Sequence, residues 1–332
     1  MSPMRTSTLV ASLTGALLSL GIAWPANGQS YPNRPITIVV PVPAGGGPDI
    51  MARVVAEQIS PSLGHPVVIE NRTGAGGLLG ASLVAKSPPD GYRLLFAPIT
   101  MAIAPHIMSK GAGGGVDIQK DLVPIIAPGT TPIVLVAHPN LGVNNLQELI
   151  VLAKKKPGMP FGSGSPGSSM HFAGEMLKRS AGIDLVHVAY RGVAPSIIGT
   201  LAGDTPLLFV ALAATLPHIK DGKLIPLAVM EKSRAIMLPE VPTATEQGVV
   251  GVEVNTWYGM FAPTGTPASI IDRLNNEVNA VIKLANVRAK LEAAGVEILG
   301  GEPQVLRDLL RNDDERYGRL ARELKLGETE TR

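Results

Sequence analysis

Ile36-Thr37-Ile38-Val39-Val40-Pro41-Val42-Pro43-Ala44-Gly45-Gly46-Gly47-Pro48-Asp49 is the stretch on which the fold turns. Its first five residues are all β-branched, the composition of a buried strand. A Pro/Gly run follows, and a helix is expected from about Asp49 to Leu63. Strand, glycine turn and helix in succession are the repeating unit of an α/β sheet with crossover helices. Glycine lets the backbone take positive φ and approach a ligand closely. The helix behind it leaves its first N–H groups unpaired and places a partial positive charge at the turn. Such a turn holds an anion through the backbone, without a lysine.

The same alternation continues outward. Further strands are expected over 67–70, 92–97, 133–137, 160–162, 185–189, 207–210, 226–230 and 257–262. Helices are expected over 78–87, 102–108, 145–156, 168–181, 195–202, 270–294 (with a break near 284–286) and 303–325. Residues 111–115 read as a flexible loop, and 233–248 as irregular. No internal repeat of fixed period stands out, and no linker separates independent units. A chain of 332 residues has a prior of about two domains. Without a linker, two domains share crossing strands, which we place near 127–131 and 254–257. Residues 29–128 plus 255–332 then form a discontinuous first domain, and 129–254 the second.

Two more turns repeat the first design. Phe161-Gly162-Ser163-Gly164-Ser165-Pro166-Gly167-Ser168-Ser169 leads into a helix and adds hydroxyl donors, and Asn71-Arg72-Thr73-Gly74-Ala75-Gly76-Gly77 is the third. Taken singly, each is better read as a tight turn with Asp49, Ser168 or Ser169 as a helix cap. The first and second together, facing each other from two domains, favour binding, because ligands of open α/β sheets gather at the strand carboxyl ends.

Composition bounds the function further. Hydrophobic residues make up 45% and charged residues 17%, so the chain is globular. Net charge is +2, and the one basic run, Lys154, Lys155 and Lys156, ends in Pro157-Gly158 as a helix C-terminus does. Nucleic acid is not the expected partner. The absence of cysteine excludes disulfides, thiol catalysis, Cys-ligated zinc and a lipid anchor on cysteine. The six histidines lack metal-ligand spacing, so no metal and no cofactor are expected. Arg5, an apolar stretch from Leu9 to about Trp24 and a small-x-small end at Ala26-Asn27-Gly28 predict a secretory signal peptide over 1–28. The stretch falls short of the ~20 residues of a membrane span. Cleavage removes Arg5 and lowers the net charge to +1.

Catalytic motifs are weak. Gly-x-Ser-x-Gly is not met at Ser163 or Ser165, and no Gly-Lys-Ser/Thr phosphate loop occurs. Gly162-x-Gly164-x-x-Gly167 matches a dinucleotide fingerprint, but Asp184 precedes the next strand where an acid should follow it. Arg191 after that strand leaves a faint NADP reading. A secreted hydrolase would need a nucleophile and base at recognisable spacing.

The chain resembles the solute receptors of tripartite tricarboxylate transporters, the Bug receptors. The motifs run in order through the mature chain: Tyr31-Pro32-x-x-Pro35, Pro41-x-Pro43-x-Gly45-Gly46-x-x-Asp49, Val68-x-Glu70-Asn71-Arg72-x-Gly74-Ala75-Gly76-Gly77, Ala85-Lys86-x-Pro88-Pro89-Asp90-Gly91-Tyr92 and His171-x-Ala173-Gly174-Glu175. Val188-Ala189-Tyr190-Arg191-Gly192, Leu216-Pro217-His218-Ile219-Lys220, Leu238-Pro239-x-Val241-Pro242-Thr243 and Ala262-Pro263-x-Gly265-Thr266-Pro267 continue it. Each is weak alone; their order is specific. The resemblance implies a non-catalytic, monomeric periplasmic receptor of periplasmic-binding-protein-like (type II) fold. Its cleft would lie between two doubly wound α/β sheets and close on a small organic carboxylate for the membrane components of a tripartite transporter. A receptor feeding signal transduction would look the same. The resemblance puts Pro43, Ala44, Gly45, Gly46 and Asp49 on one lip of the site. Ser163, Gly164, Ser165 and Ser168 fall on the other, with Tyr190 and Arg191 at the next turn. His171 is expected to pack rather than bind. Where relatives often carry an acid and an amide after Phe209, this chain has Val210 and Ala211. Val210, Ala211, Leu212 and Ala213 are therefore expected to give the far end of the pocket neither charge nor side-chain hydrogen bond.

Overall fold

A computed structural model describes residues 31–109 and 111–326, so the expected signal peptide lies outside the described residues. In chain order the elements are β1 (Ile36–Val40), α1 (Gly47–Leu63), β2 (Val67–Asn71), α2 (Leu78–Ala85), β3 (Arg93–Pro98), α3 (Thr100–Ile103) and α4 (Ile118–Asp121). Then come β4 (Leu122–Ala137), α5 (Leu146–Lys155), β5 (Met159–Ser163), α6 (Ser169–Ala181), β6 (Leu185–Ala189), α7 (Val193–Ala202), β7 (Leu207–Ala211), α8 (Leu212–Lys220) and β8 (Ile225–Val229). The chain finishes with β9 (Asn255–Pro263), α9 (Ala268–Ile282), α10 (Ala285–Ala293), β10 (Glu297–Ile298) and α11 (Pro303–Glu323).

The strands form one mixed sheet in the order β2-β1-β3-β9-β4-β7-β5-β6, with β8 and β10 also on β4. β1 pairs parallel with β2 and β3, and β5 pairs parallel with β6 and β7. β9 runs antiparallel to β3 and β4, and β4 antiparallel to β7 and β8. Each half thus contains a parallel trio ordered second-first-third beside an antiparallel crossing strand. This is an α/β fold of two lobes whose helices cover the sheet, and the topology repeats although no residue period does.

β4 joins the halves. Its residues Leu122 to Pro132 pair with β9, and Ile133 to Ala137 pair with β7. At the changeover Met230 donates its N–H to Ile133 O and Val254 donates to Met230 O, at 2.8 and 2.7 Å. One buried apolar cluster runs through both lobes, taking Val39, Leu95 and Leu310 from one and Phe161, Phe172 and Phe209 from the other.

The structure differs from expectation in several places, the largest being β4, which begins at Leu122 where a strand was expected only over 133–137. The helix expected over 102–108 is α3 followed by a single 3₁₀ turn at Ala104–His106. Residues 112–115 form a glycine 3₁₀ turn against α2: a Cβ at Gly113 would lie 2.1 Å from that of Leu78. α8, which carries Pro217, and the two-residue β10 were not anticipated.

Candidate functional site

The expected binding loops meet. Pro43 of the β1–α1 turn packs over Gly192 of the β6–α7 turn, where a Cβ would come within 3.0 Å of Pro43 Cγ. Between them lies a cavity of about 370 Å³, walled by both lobes. Five helices of eight residues or more start at its wall: α1 and α2 from the first lobe, α6, α7 and α8 from the second. Helix N-termini carry partial positive charge, so their convergence favours an anion, although at α8 the Ala213 N–H is already taken by Thr131 Oγ1. The crossing strand β9 supplies the floor. Thr256 Oγ1 lies 3.0 Å from Ser169 Oγ at the start of α6, and Tyr258, two residues on and on the same face, abuts Gly47 at the start of α1.

Of the residues singled out in the sequence, Pro43, Ala44, Gly46, Gly164, Ser165, Ser168, Tyr190 and Arg191 line the cavity. Gly45, Asp49, Ser163 and Val210 do not. Gly45 shapes the turn, with φ of +84°. The buried Asp49 carboxylate is turned onto its own loop. Its Oδ2 accepts from Gly45 N at 3.0 Å and Arg53 Nε at 2.9 Å, and its Oδ1 accepts from Asn71 Nδ2 at 2.8 Å. Burial opposes its charge, but the Arg53, Gly45 and Asn71 hydrogen bonds outweigh it and hold the carboxyl below its ordinary value. Asp49 therefore positions the first lip.

Ser163 is also turned inward, its Oγ 2.7 Å from His187 Nε2 and donating to Ser165 O at 3.0 Å. Val210 faces the core beside Val134 and Leu208. Strand side chains alternate in direction, so Ala211 rather than Val210 reaches the cavity. The far side is accordingly less bare than expected. Thr100, Thr256 and Tyr258 line the cavity, while Leu212 and Ala213 do not.

The third glycine turn, noted in sequence but not assigned to the site, supplies Thr73, Gly74, Gly76 and Gly77 to the wall. Tyr190 presents its ring side while its hydroxyl turns back to Thr205 Oγ1, 3.4 Å away. Ser168 Oγ caps α6, accepting from His171 N at 3.2 Å and donating to Ser165 O at 2.9 Å. Arg191 is the one charged residue of the lining, exposed and without an ion pair among the described residues. Among the described residues Tyr258 Oη is buried without a hydrogen bond of good geometry, Thr131 Oγ1 being the polar group beside it. The nearby Thr131 Oγ1 already donates to Gly295 O and accepts from Ala213 N. Burial pushes the Tyr258 phenol up, so it stays protonated. Among the described residues no cluster of His, Cys, Asp and Glu is arranged to hold a metal.

With this geometry in view, comparisons with known proteins converge. The model of the tripartite tricarboxylate transporter family receptor matches residues 51–326. The chain is 34% identical over 327 residues to the protein BugT of Bordetella pertussis, covering 96% of this chain and 98% of that one. An R. palustris protein solved with adipate superposes with a TM-score of 0.85 at 32% identity, over 89% of this chain and 99% of that one. MatC from Rhodopseudomonas palustris with bound malate gives a TM-score of 0.81 at 28% identity, over 87% and 99%.

Proposed function

The chain belongs to the tripartite tricarboxylate transporter receptor family, and on that premise we propose that it is a periplasmic solute receptor whose cavity captures a small organic acid without an ammonium group. The observation that carries this reading is the lining. Five helix N-termini and one arginine face a cavity with no acidic side chain among its lining residues. A carboxylate gains hydrogen bonds and favourable dipoles there. A ligand ammonium group would have no anionic partner, and burying it unpaired costs several kcal/mol. Adipate and malate, held by the two similar R. palustris proteins, are acids of this kind.

On this reading the site residues are Pro43, Ala44 and Gly46 on one lip and Gly164, Ser165 and Ser168 on the other, with Arg191 at the mouth. The division into 29–128 plus 255–332 and 129–254 gives the two lobes that close on the ligand. The protein is exported with loss of residues 1–28, acts as a monomer and delivers its ligand to membrane partners. No helix among the described residues is long and apolar enough to cross a membrane. Binding without turnover is favoured by the geometry of the Ser–His side-chain contact near the site. Ser163 and His187 are within reach of proton transfer, but Ser163 is fully buried off the cavity, and His187 has no carboxylate partner among the described residues.

A thermal-shift screen of mono-, di- and hydroxy-acids against the 29–332 protein tests the reading. A ligand at 100 times its Kd stabilises by about 2.7 kcal/mol. The expected outcome is a shift with one or a few such acids and none with aspartate or glutamate. Stabilisation by the amino acids alone would overturn it.

A further inference from the structure

His171 and His187 are half-buried titratable groups beside the Ser-rich loop, and ligand capture as described makes no use of them. Their rings are stacked, with centroids 3.8 Å apart and planes inclined by 13°. His171, on α6, accepts the Gly167 N–H on Nδ1 at 3.1 Å. His187, on β6, meets Ser163 Oγ at 2.7 Å, and that hydroxyl also donates to Ser165 O at 3.0 Å. Because the hydroxyl proton goes to Ser165 O, His187 Nε2 carries the proton and donates to Ser163 Oγ. The stack thus braces the loop from below at two points, Gly167 and Ser163, on either side of the cavity-lining Ser165.

We propose that the neutral His171–His187 stack is the positioning element of the second lip and makes the shape of the Ser-rich loop sensitive to acid. A proton on His171 Nδ1 turns the acceptor for Gly167 N–H into a second donor, so that bond must break. Gly167 holds φ of +64° and is packed so closely on Ile107 of the other lobe that a Cβ there would lie 1.4 Å from Ile107 Cδ1. A second proton on His187 would set two cations face to face.

The charged groups facing the pair are Glu175, 3.9 Å from His171 Nε2, and Lys178, which is paired to Glu175 at 2.9 Å; both lie on α6. From β5 the stack meets the Phe161 ring, 5.1 Å from His187. Burial, the neighbouring His187 and Lys178 push His171 down to about 3. Burial and Lys178 push His187 down to about 4. Freed from the loop, both return toward the ordinary value of about 6.5. Below that pH the released loop gains on the braced one by about tenfold per pH unit for each histidine, until the braced form itself protonates.

The consequence, loss of ligand in acid, rests on the receptor reading; the bracing itself does not. The test is therefore run on the ligand-free 29–332 protein, following the imidazole ring signals and the Gly167 and Ser165 amides by NMR from pH 7.5 to below 3. Both rings are expected to be neutral at pH 6, with His171 as the Nε2–H tautomer. The Gly167 amide is expected to move together with the His171 ring as pH falls. In His171→Asn, which cannot titrate, that movement should vanish. A Gly167 amide that stays fixed while His171 titrates in the wild type would overturn the proposal. So would the same amide movement in His171→Asn. Should that variant not fold, the wild-type titration alone decides.

Discussion

Gly45 takes φ of +84°, a conformation that favours glycine, whereas Gly47 has a helical backbone and is confined by space. A Cβ at Gly47 would lie 2.2 Å from Tyr258 Oη, while one at Gly46 would make ordinary contacts of 3.7 Å or more. Gly46→Ala should therefore fold with stability within about 0.5 kcal/mol of wild type. Gly47→Ala should lose about 1–3 kcal/mol through overpacking. Tyr258→Phe removes a hydroxyl with no hydrogen bond of good geometry among the described residues, so its own cost should be small. Combined with Gly47→Ala it should restore part of the loss. Urea denaturation of the four proteins measures the coupling, and strictly additive losses would contradict the steric account. Such distinctions are invisible in the sequence. Three adjacent glycines read alike there, and Asp49 reads as a cap or a ligand with equal ease. Helical side chains lean toward the helix N-terminus, which is why the Asp49 carboxylate folds back onto Gly45 N–H instead of into the cavity. At this scale Asp49→Ala should cost ligand affinity about tenfold without removing any lining atom, as read by calorimetry with the acid found by thermal shift. Unchanged affinity would mean the first lip holds its shape without the carboxylate. The tenfold corresponds to about 1.4 kcal/mol, a typical value for one charge-assisted hydrogen bond.

Elements were legible where local chemistry agrees with the fold. The β-branched run of β1 is almost wholly buried in the centre of its trio, and the turn glycines announce α1 and α6. α8 is hidden because β7 passes into it at Ala211 with no glycine and no side-chain cap, and Pro217 lies inside it. Tertiary packing of its apolar face overrides that poor local signal. The face of β7 could not be read either, since an error of one residue exchanges Val210 for Ala211. Glu231, two residues beyond the end of β8 at Val229, gives this scale its prediction. Burial, then the nearby Glu297, raises its carboxyl to about 8 despite Arg316, with Asp313 and Glu253 adding to the rise. In the unfolded chain it ionises near 4.5. The stability it contributes is fully present below pH 4.5 and is lost as pH climbs toward about 8. Glu231→Gln should thus stabilise by about 2 kcal/mol at pH 8 and by little at pH 4.5. Equal effects at both pH values in urea melts would show that Glu231 is not held neutral.

The whole molecule poses the question of closure. β4 runs from one lobe into the other, the chain returns through Val254 into β9, and the two strands pair side by side from Gly129 to Pro132. Paired crossings of this kind suit a hinge, because a few residues absorb the φ/ψ change while each lobe stays rigid. Two features work against free swinging. The apolar cluster runs without interruption through both lobes. Helix α11 also spans the back, with Tyr317 edge-on to Phe172 of α6 at 5.1 Å and Arg179 of α6 paired to Glu323 at 3.0 Å. The exposed Arg179–Glu323 pair contributes little, about 0–1 kcal/mol; the aromatic contact is the real constraint, because separating it exposes apolar surface at about 25 cal/mol per Å². The lobes are therefore expected to rotate about residues 127–131 and 254–257 with Phe172 and Tyr317 kept in contact as the pivot, so that the cavity mouth at Pro43 and Gly192 moves most. Small-angle scattering of the 29–332 protein should show a smaller radius of gyration at saturating ligand. Scattering curves that coincide with and without ligand would establish instead that the acid enters a cavity already formed.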